Sequence, residues 1–287
     1  MLGKKFVLFI VVSTIFTVAL GCSNGSCADN GKIDDVDMID GRPYNKIITD
    51  TTVDGINFRR YYYEVFDTVE LLNEEDGTAQ IVDFSSYDDF MLPVGGNAAI
   101  EKIRADLLKT FNYSGPTIEQ DLDKEYDNYT APEDAYSYEN KIDLVSIAGD
   151  FISFYVSSFY IYVYQQSHGW ATTTYSVYNM ETGEKIMQDD ILDASESARL
   201  AVANKLRSLL VEYLDGDESE VKVYDVMDML NGNFVIGENG LVYCYDPSSV
   251  APYMAGEPEL ELPKDWLRPY LNVEGPLYKY WFGKKQK

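Results

Sequence analysis

"KIDLVSIAGDFISFYVSSFYIYVYQQ", residues 141–166, decides the fold. Read at the two-residue period of a strand, Ile152, Phe154, Val156, Tyr160, Tyr162 and Tyr164 point one way. Phe151, Tyr155, Phe159, Ile161 and Val163 point the other. Both sets are apolar or aromatic, so the segment predicts a strand covered on two faces rather than the wall of a one-sided sheet. Gly149 and Asp150 break it into two strands.

Outward from this core the pattern alternates between strand and helix. "INFRRYYYEVFDTVELL" (56–72) and "TAQIVDFSSY" (78–87) carry strand-forming residues. "NAAIEKIRADLLKTF" (97–111) places Ile100, Ile103, Leu107 and Phe111 on one helical face, with Asn97 as its N-cap. "TIEQDLDKEYDNY" (117–129) suits a short helix, and "APEDAYSYEN" (131–140) reads as an exposed loop. Downstream, "ATTTYSVYNMETGEKIM" (171–187) predicts strand, turn and strand, with Gly183 supplying the positive φ of the turn. Residues 188–217 predict a helix entered at Asp193, with Glu196 three residues on. Its stripe is Leu200, Ala203, Leu206, Leu210 and Leu214, and Asp215 and Gly216 end it. "NFVIGENGLVYCYDP" (233–247) gives two short strands, and "SVAPYMAGEPELELP" (249–263) adds an extended edge. The expected fold class is α+β, a mostly antiparallel sheet with at least two helices packed on it.

The N-terminus sets the compartment. Lys4 and Lys5 precede an apolar run from Phe6 to Leu20, which is shorter than the roughly 20 residues of a spanning helix and ends in "ALGC". Residues 1–21 therefore read as a signal peptide. The "ALGC" segment resembles a bacterial lipobox, which makes Cys22 the expected lipidation site and first mature residue, tethered to the membrane by its acyl chains. Residues 22–52 read as a flexible linker, with "NG" at Asn24 and Asn30 and no apolar period. Residues 53–141 form a smaller α+β portion, and 142–287 a C-terminal α+β domain. The net charge of −25 opposes nucleic-acid binding and favours cationic partners. Three cysteines exclude a disulfide framework or a four-cysteine zinc site. Cys27 and Cys244 are consistent with a bridge or with two free thiols.

His168 is the single histidine of 287 residues. No nucleophile elbow or Cys–His signature accompanies it, and the heavier reading is an imidazole bonded to backbone at the start of a hairpin strand. No catalytic residue, metal ligand or cofactor is assigned. Asp189, Asp190 and Asp193, like "DGDESE" (215–220), lack calcium-loop spacing and suit caps and turns. The tyrosines at strand spacing read as sheet packing with hydroxyls at the rim. Partner binding points instead to loops, with Gln165, Gln166, His168, Trp170 and Tyr253 as candidate contact residues.

"SHG" (167–169), "YSVYNMETGEKIMQDDIL" (175–192), the helix after it and "FVIGENGLVYCYDPSSVAPYMAGEPELELP" (234–263) together resemble the C-terminal domain family of RsiV-like, lysozyme-sensing anti-sigma factors, domain of unknown function 3298. Thr182, Gly183, Asp190, Ile191, Leu192, Gly240, Tyr243, Tyr245, Ala251, Pro252, Tyr253 and Gly256 carry the likeness, which spans about residues 142–272. Gln165, Gln166 and Ser167 depart from the family's Gly-Gly-Ala before the histidine. The family also accompanies peptidoglycan deacetylases and occurs in lipoproteins of unknown role. Without a recognisable sigma-binding or deacetylase domain, the resemblance implies the extracellular module alone. The expected function is a membrane-tethered, non-enzymatic binding lipoprotein of the bacterial cell envelope, on the extracytoplasmic side, with lysozyme as the implied type of cationic partner. The alternative is a carboxylate-based hydrolase or accessory acting on cell-wall or other glycans, which leaves no sequence motif and predicts a concave site with a raised-pKa acid.

Overall fold

A computed structural model describes residues 36–39, 42–72, 79–129, 136–162 and 169–283, some of the strand-end residues by backbone alone. Seven strands form one sheet in chain order: β1 (Val36–Ile39), β2 (Arg42–Val53), β3 (Ile56–Leu72), β4 (Ala79–Val94), β5 (Tyr136–Ala148), β6 (Phe151–Tyr162) and β7 (Trp170–Asn179). Every neighbouring pair is antiparallel except β4 and β5. A parallel pair needs a crossover, and α1 (Ala98–Lys109) and α2 (Ile118–Asp127) supply it. A second sheet orders β10 (Glu259–Pro263), β9 (Gly240–Cys244) and β8 (Phe234–Ile236), all antiparallel. The other helices are α3 (Gln188–Ile191), α4 (Glu196–Tyr213), α5 (Lys264–Leu267) and α6 (Pro276–Phe282). The fold is α+β and mostly antiparallel.

The two-faced reading of residues 151–162 explains the layering. Ile152, Phe154 and Val156 join Ile100, Ile103, Leu107, Leu122 and Tyr126 in a core between sheet and helices α1 and α2. Phe151, on the opposite face, joins a second core with Val177 of β7, Leu206 and Leu210 of α4 and Tyr243 of β9. Val145 and Tyr175 of the large sheet meet Val235, Val242 and Cys244 of the small one. Gly149, at φ +60°, makes the tight turn between β5 and β6. A Cβ there would lie 2.2 Å from the ring of Tyr280, so α6 rests directly on the turn.

Asn97 caps α1 as the sequence predicts: its Oδ1 accepts from the Ile100 amide at 2.8 Å. Asn97→Ala is expected to lower stability by about 1 kcal/mol, read as a lower urea midpoint with an unchanged m-value.

Several expectations are corrected. Residues 36–39 and 42–52 are not linker: β1 pairs with the start of β2, and from Tyr44 on β2 pairs with β3, setting Tyr44, Ile47 and Ile48 opposite Val65, Tyr62 and Tyr61, and Val53 opposite Ile56. The boundary at 141/142 falls inside β5, and Val36–Lys287 form one unit. Residues 136–140, read as loop, begin β5, since Tyr138 and Asn140 face the core layer beside β4 and β6. The return limb of the residue 171–187 hairpin makes a single bridge, Tyr178 to Lys185, before the chain turns into α3. Helix α4 starts two residues later than expected, capped by Ser195, whose own amide donates to Asp193 at 2.9 Å. Its buried stripe includes Val202, while Leu200 is exposed.

One row across the large sheet is polar. Cross-strand register aligns Lys46, Tyr63, Asp88, Asn140, Ser158 and Thr172, and α2 bonds to the Lys46, Tyr63 and Asp88 end of the row. Tyr63 donates its hydroxyl proton to Asp123 of α2 at 2.7 Å, and Lys46 donates to the same carboxylate at 2.5 Å. Among the described residues, no helix is long and apolar enough to cross a membrane.

Candidate functional site

The segment from Tyr245 to Leu262 builds the most distinctive surface of the small sheet. "EPELELP" alternates glutamate with Pro or Leu, and as strand β10 it buries Leu260 and Leu262 while its glutamates share the opposite face. Register sets Glu259 across from Cys244 and Glu261 across from Val242. The amide of Tyr245 donates to the carbonyl of Pro258 at 3.1 Å, which carries the pairing on and draws Asp246 alongside Glu257. Three carboxylates thus gather where the small sheet meets the Thr173 and Tyr175 end of β7.

Burial raises the Asp246 carboxyl above its ordinary range, partly offset by the hydroxyl of Thr173. Burial also raises Glu257, with repulsion from Asp246 and Glu259 added, and burial alone raises Glu259. No lysine or arginine is among the influences on any of the three. Oδ1 of Asp246 is occluded from solvent and has no hydrogen-bond donor. A cluster of acids raised in this way holds unspent affinity for a positive group, because a cation would relieve both the repulsion and the lost hydration.

Beside the acids stands an apolar projection. Tyr253 and Met254 occupy a 3-10 turn, Tyr253–Ala255, and are 48% and 97% exposed. The turn is pinned from α4 by the Tyr213 hydroxyl, which donates to the Ala255 carbonyl at 2.6 Å. Gly256, at φ +79°, reverses the chain into Glu257. The amide of Lys222 donates to the Val250 carbonyl at 2.9 Å, bringing up the strap that bears the fully exposed Tyr224. Exposed tyrosine and methionine beside carboxylates form a surface able to anchor apolar side chains and to attract cationic ones.

Of the candidate contact residues, Tyr253 lies on this surface. Trp170 opens β7, with its backbone paired opposite Tyr160. Gln165, Gln166 and His168, like Cys22 and Cys27, lie outside the described residues. Cys244 is a free thiol, 3% exposed, and burial pushes its pKa well up, which leaves it unreactive. Asp246, Glu257 and Glu259 were not singled out by sequence reasoning; the glutamate alternation in "EPELELP" is the signal that finds Glu257 and Glu259. The caps behave as read: Asp190 accepts from the Met187 amide at 2.8 Å, and Asp217 from the Ser219 amide at 3.0 Å. Among the described residues, no group of three or more His, Cys, Asp or Glu is arranged to hold a metal ion. Two hollows lie elsewhere, one of about 330 Å³ between α1 and β7 and one of about 640 Å³ beside α2.

A family model described as "Protein of unknown function (DUF3298)" matches residues 189–265, the stretch from α3 to α5 that contains the acidic surface. A DUF3298 family member from Bacteroides fragilis has a similar structure, with a TM-score of 0.51 at 13% identity, covering 76% of this chain and 97% of that one. A DUF3298 family protein from Pseudomonas aeruginosa gives a TM-score of 0.49 at 13% identity, covering 82% and 96%. The first of these likenesses shows a shared fold. No curated protein matches the chain.

Proposed function

We propose that this chain is a lipid-anchored binding module on the extracytoplasmic side of a bacterial membrane, and that the Asp246, Glu257 and Glu259 surface receives a cationic protein. One observation carries the reading: three neighbouring carboxylates beside the exposed Tyr253 and Met254 are all raised, with no lysine or arginine among the described residues that influence them. A folded chain that keeps such a group tolerates a local loss of stability, which partner binding would recover. The anchor reading rests on Lys4, Lys5, the apolar run and Cys22. The lysozyme-type partner rests on the RsiV-like resemblance and on a net charge of −25. The glycan-hydrolase reading has less support, because the raised acids line neither of the two hollows.

Calorimetric titration tests the reading, using the chain from residue 23 onward so that β1 and β2 stay intact. With a lysozyme, saturable one-to-one binding at physiological salt is expected, with affinity falling steeply as salt rises. Heat that never saturates, or that vanishes at physiological salt, reduces the acidic surface to nonspecific attraction.

A further inference from the structure

Asp88 and Asp89 are adjacent on β4, so they face opposite sides of the sheet and meet different chemistry. Asp89 takes a two-point bond from the Arg60 guanidinium, with Nε donating to Oδ1 at 2.6 Å and Nη2 to Oδ2. Asp88 is fully buried in the polar row under α2. Facing it are Tyr63 of β3, Tyr138 and Asn140 of β5, Glu125 and Tyr126 of α2, and Tyr113 from the segment between the helices. None of these is a cation. Lys46, on the same row, is committed to Asp123 at 2.5 Å and Glu119 at 3.5 Å.

The hydrogen-bond partners of the carboxyl suit its neutral form. Ser158 donates to Oδ1 of Asn140 at 2.8 Å, and Nδ2 of Asn140 donates to Oδ1 of Asp88 at 2.9 Å. The Tyr126 hydroxyl lies within hydrogen-bonding range of two oxygens, the Tyr63 carbonyl at 3.1 Å and Oδ2 of Asp88 at 3.0 Å. A hydroxyl has one proton and a carbonyl can only accept. Tyr126 can donate to only one of the two oxygens at full strength; a protonated Asp88 lets Tyr126 donate to Tyr63 while accepting from the acid, and the hydroxyl of Tyr138 also bonds to that of Tyr126.

We infer that the neutral Asp88 carboxylic acid is a proton latch that holds α2 on the sheet and releases it when the proton is lost. Ionisation leaves two acceptors competing for the single Tyr126 proton and puts an unpaired negative charge near Glu125. Burial pushes the Asp88 carboxyl up to about 7; Asn140 and Tyr126 pull it down less, and Glu125 adds to the rise. A folded-state pKa above the unfolded value means that this stabilisation is complete below the ordinary aspartate range and is lost as pH rises through about 7. The same helix walls the 640 Å³ hollow with Thr117, Asp121, Lys124 and Glu125, so its release remodels that surface.

Carboxyl-carbon NMR and amide hydrogen exchange on the chain from residue 23 onward test the latch, with Asp88→Asn as assignment and control. The asparagine offers Tyr126 the same donor and Asn140 the same acceptor, so it mimics the protonated acid at every pH. The expected result is a carboxyl still protonated at about pH 6 that ionises near neutrality. As it ionises, exchange at the α2 amides should accelerate about tenfold relative to those of β6, after correction for base catalysis. In Asp88→Asn the α2 amides should stay protected throughout. A carboxyl already ionised at about pH 6, α2 protection that ignores the titration, or the same acceleration in Asp88→Asn would each overturn the inference.

Discussion

Gly183→Ala is expected to destabilise the fold by about 3 kcal/mol or more, combining a left-handed backbone penalty with overpacking. Gly183 sits at φ +69° in the turn after β7, and a Cβ there would lie 2.5 Å from the Ala99 carbonyl oxygen and 2.9 Å from the Ala99 Cα. Those are backbone atoms of α1, with no rotamer to turn aside. The turn cannot yield easily either, because the Gly183 amide donates to the Asn179 carbonyl at 2.8 Å and Asn179 Oδ1 accepts from the amides of Glu181 and Thr182. Relief therefore requires the turn to lift from α1 or α1 to shift on the sheet. Gly55→Ala separates the two contributions: Gly55 has φ +80° but nothing within 4 Å of its Cβ, so only the backbone penalty of about 1 kcal/mol applies. Urea unfolding of both variants measures the difference. If Gly183→Ala costs no more than Gly55→Ala, the close approach to α1 is not a constraint.

The same turn shows which features were legible in the sequence. Gly183 was found because a tight reversal after a strand demands positive φ, a local property of the chain. Its approach to Ala99 is a long-range fact with no sequence signal. The two-faced strand from Phe151 to Tyr162 and the Asn97 cap were readable for the same reason as the turn, since side-chain period and capping act within a few residues. Strand β2 was missed because "YNKIITDTTV" mixes polar residues into a weak alternation, although Asp54 and Gly55, both at positive φ in the two-residue turn that joins it to β3, are a local hairpin signal. Asp88 was missed because a buried carboxyl and an exposed one look alike in "SSYDDF". The adjacency of two aspartates in a strand nevertheless requires them to face opposite sides. The acidic surface was half visible, since the glutamate alternation is local while the arrival of Asp246 and Thr173 beside it depends on how the two sheets meet.

Replacing Asp246, Glu257 and Glu259 together by Asn, Gln and Gln is expected to stabilise the isolated chain near neutral pH and to weaken a cationic partner by about tenfold or more. The sign of the first effect follows from the raised carboxyls. Each folded-state pKa lies above the unfolded value, so the stability these groups contribute is present only below the ordinary carboxylate range and is lost as pH rises through the raised values. The neutral variant never ionises there, so its stability should fall less steeply with pH than that of the parent chain. The second effect follows from the same repulsion, which a partner's lysine or arginine relieves and an amide does not offer. A control with Glu101, Glu181 and Glu274 changed to Gln removes the same charge from exposed positions elsewhere on the surface. If long-range attraction governs binding, both triple variants lose affinity alike and the loss disappears at high salt. If the surface beside Tyr253 is the contact, only the first variant loses affinity at physiological salt, and it does so while gaining stability. Opposed changes in stability and affinity at one set of residues are the mark of a surface kept for binding rather than for folding.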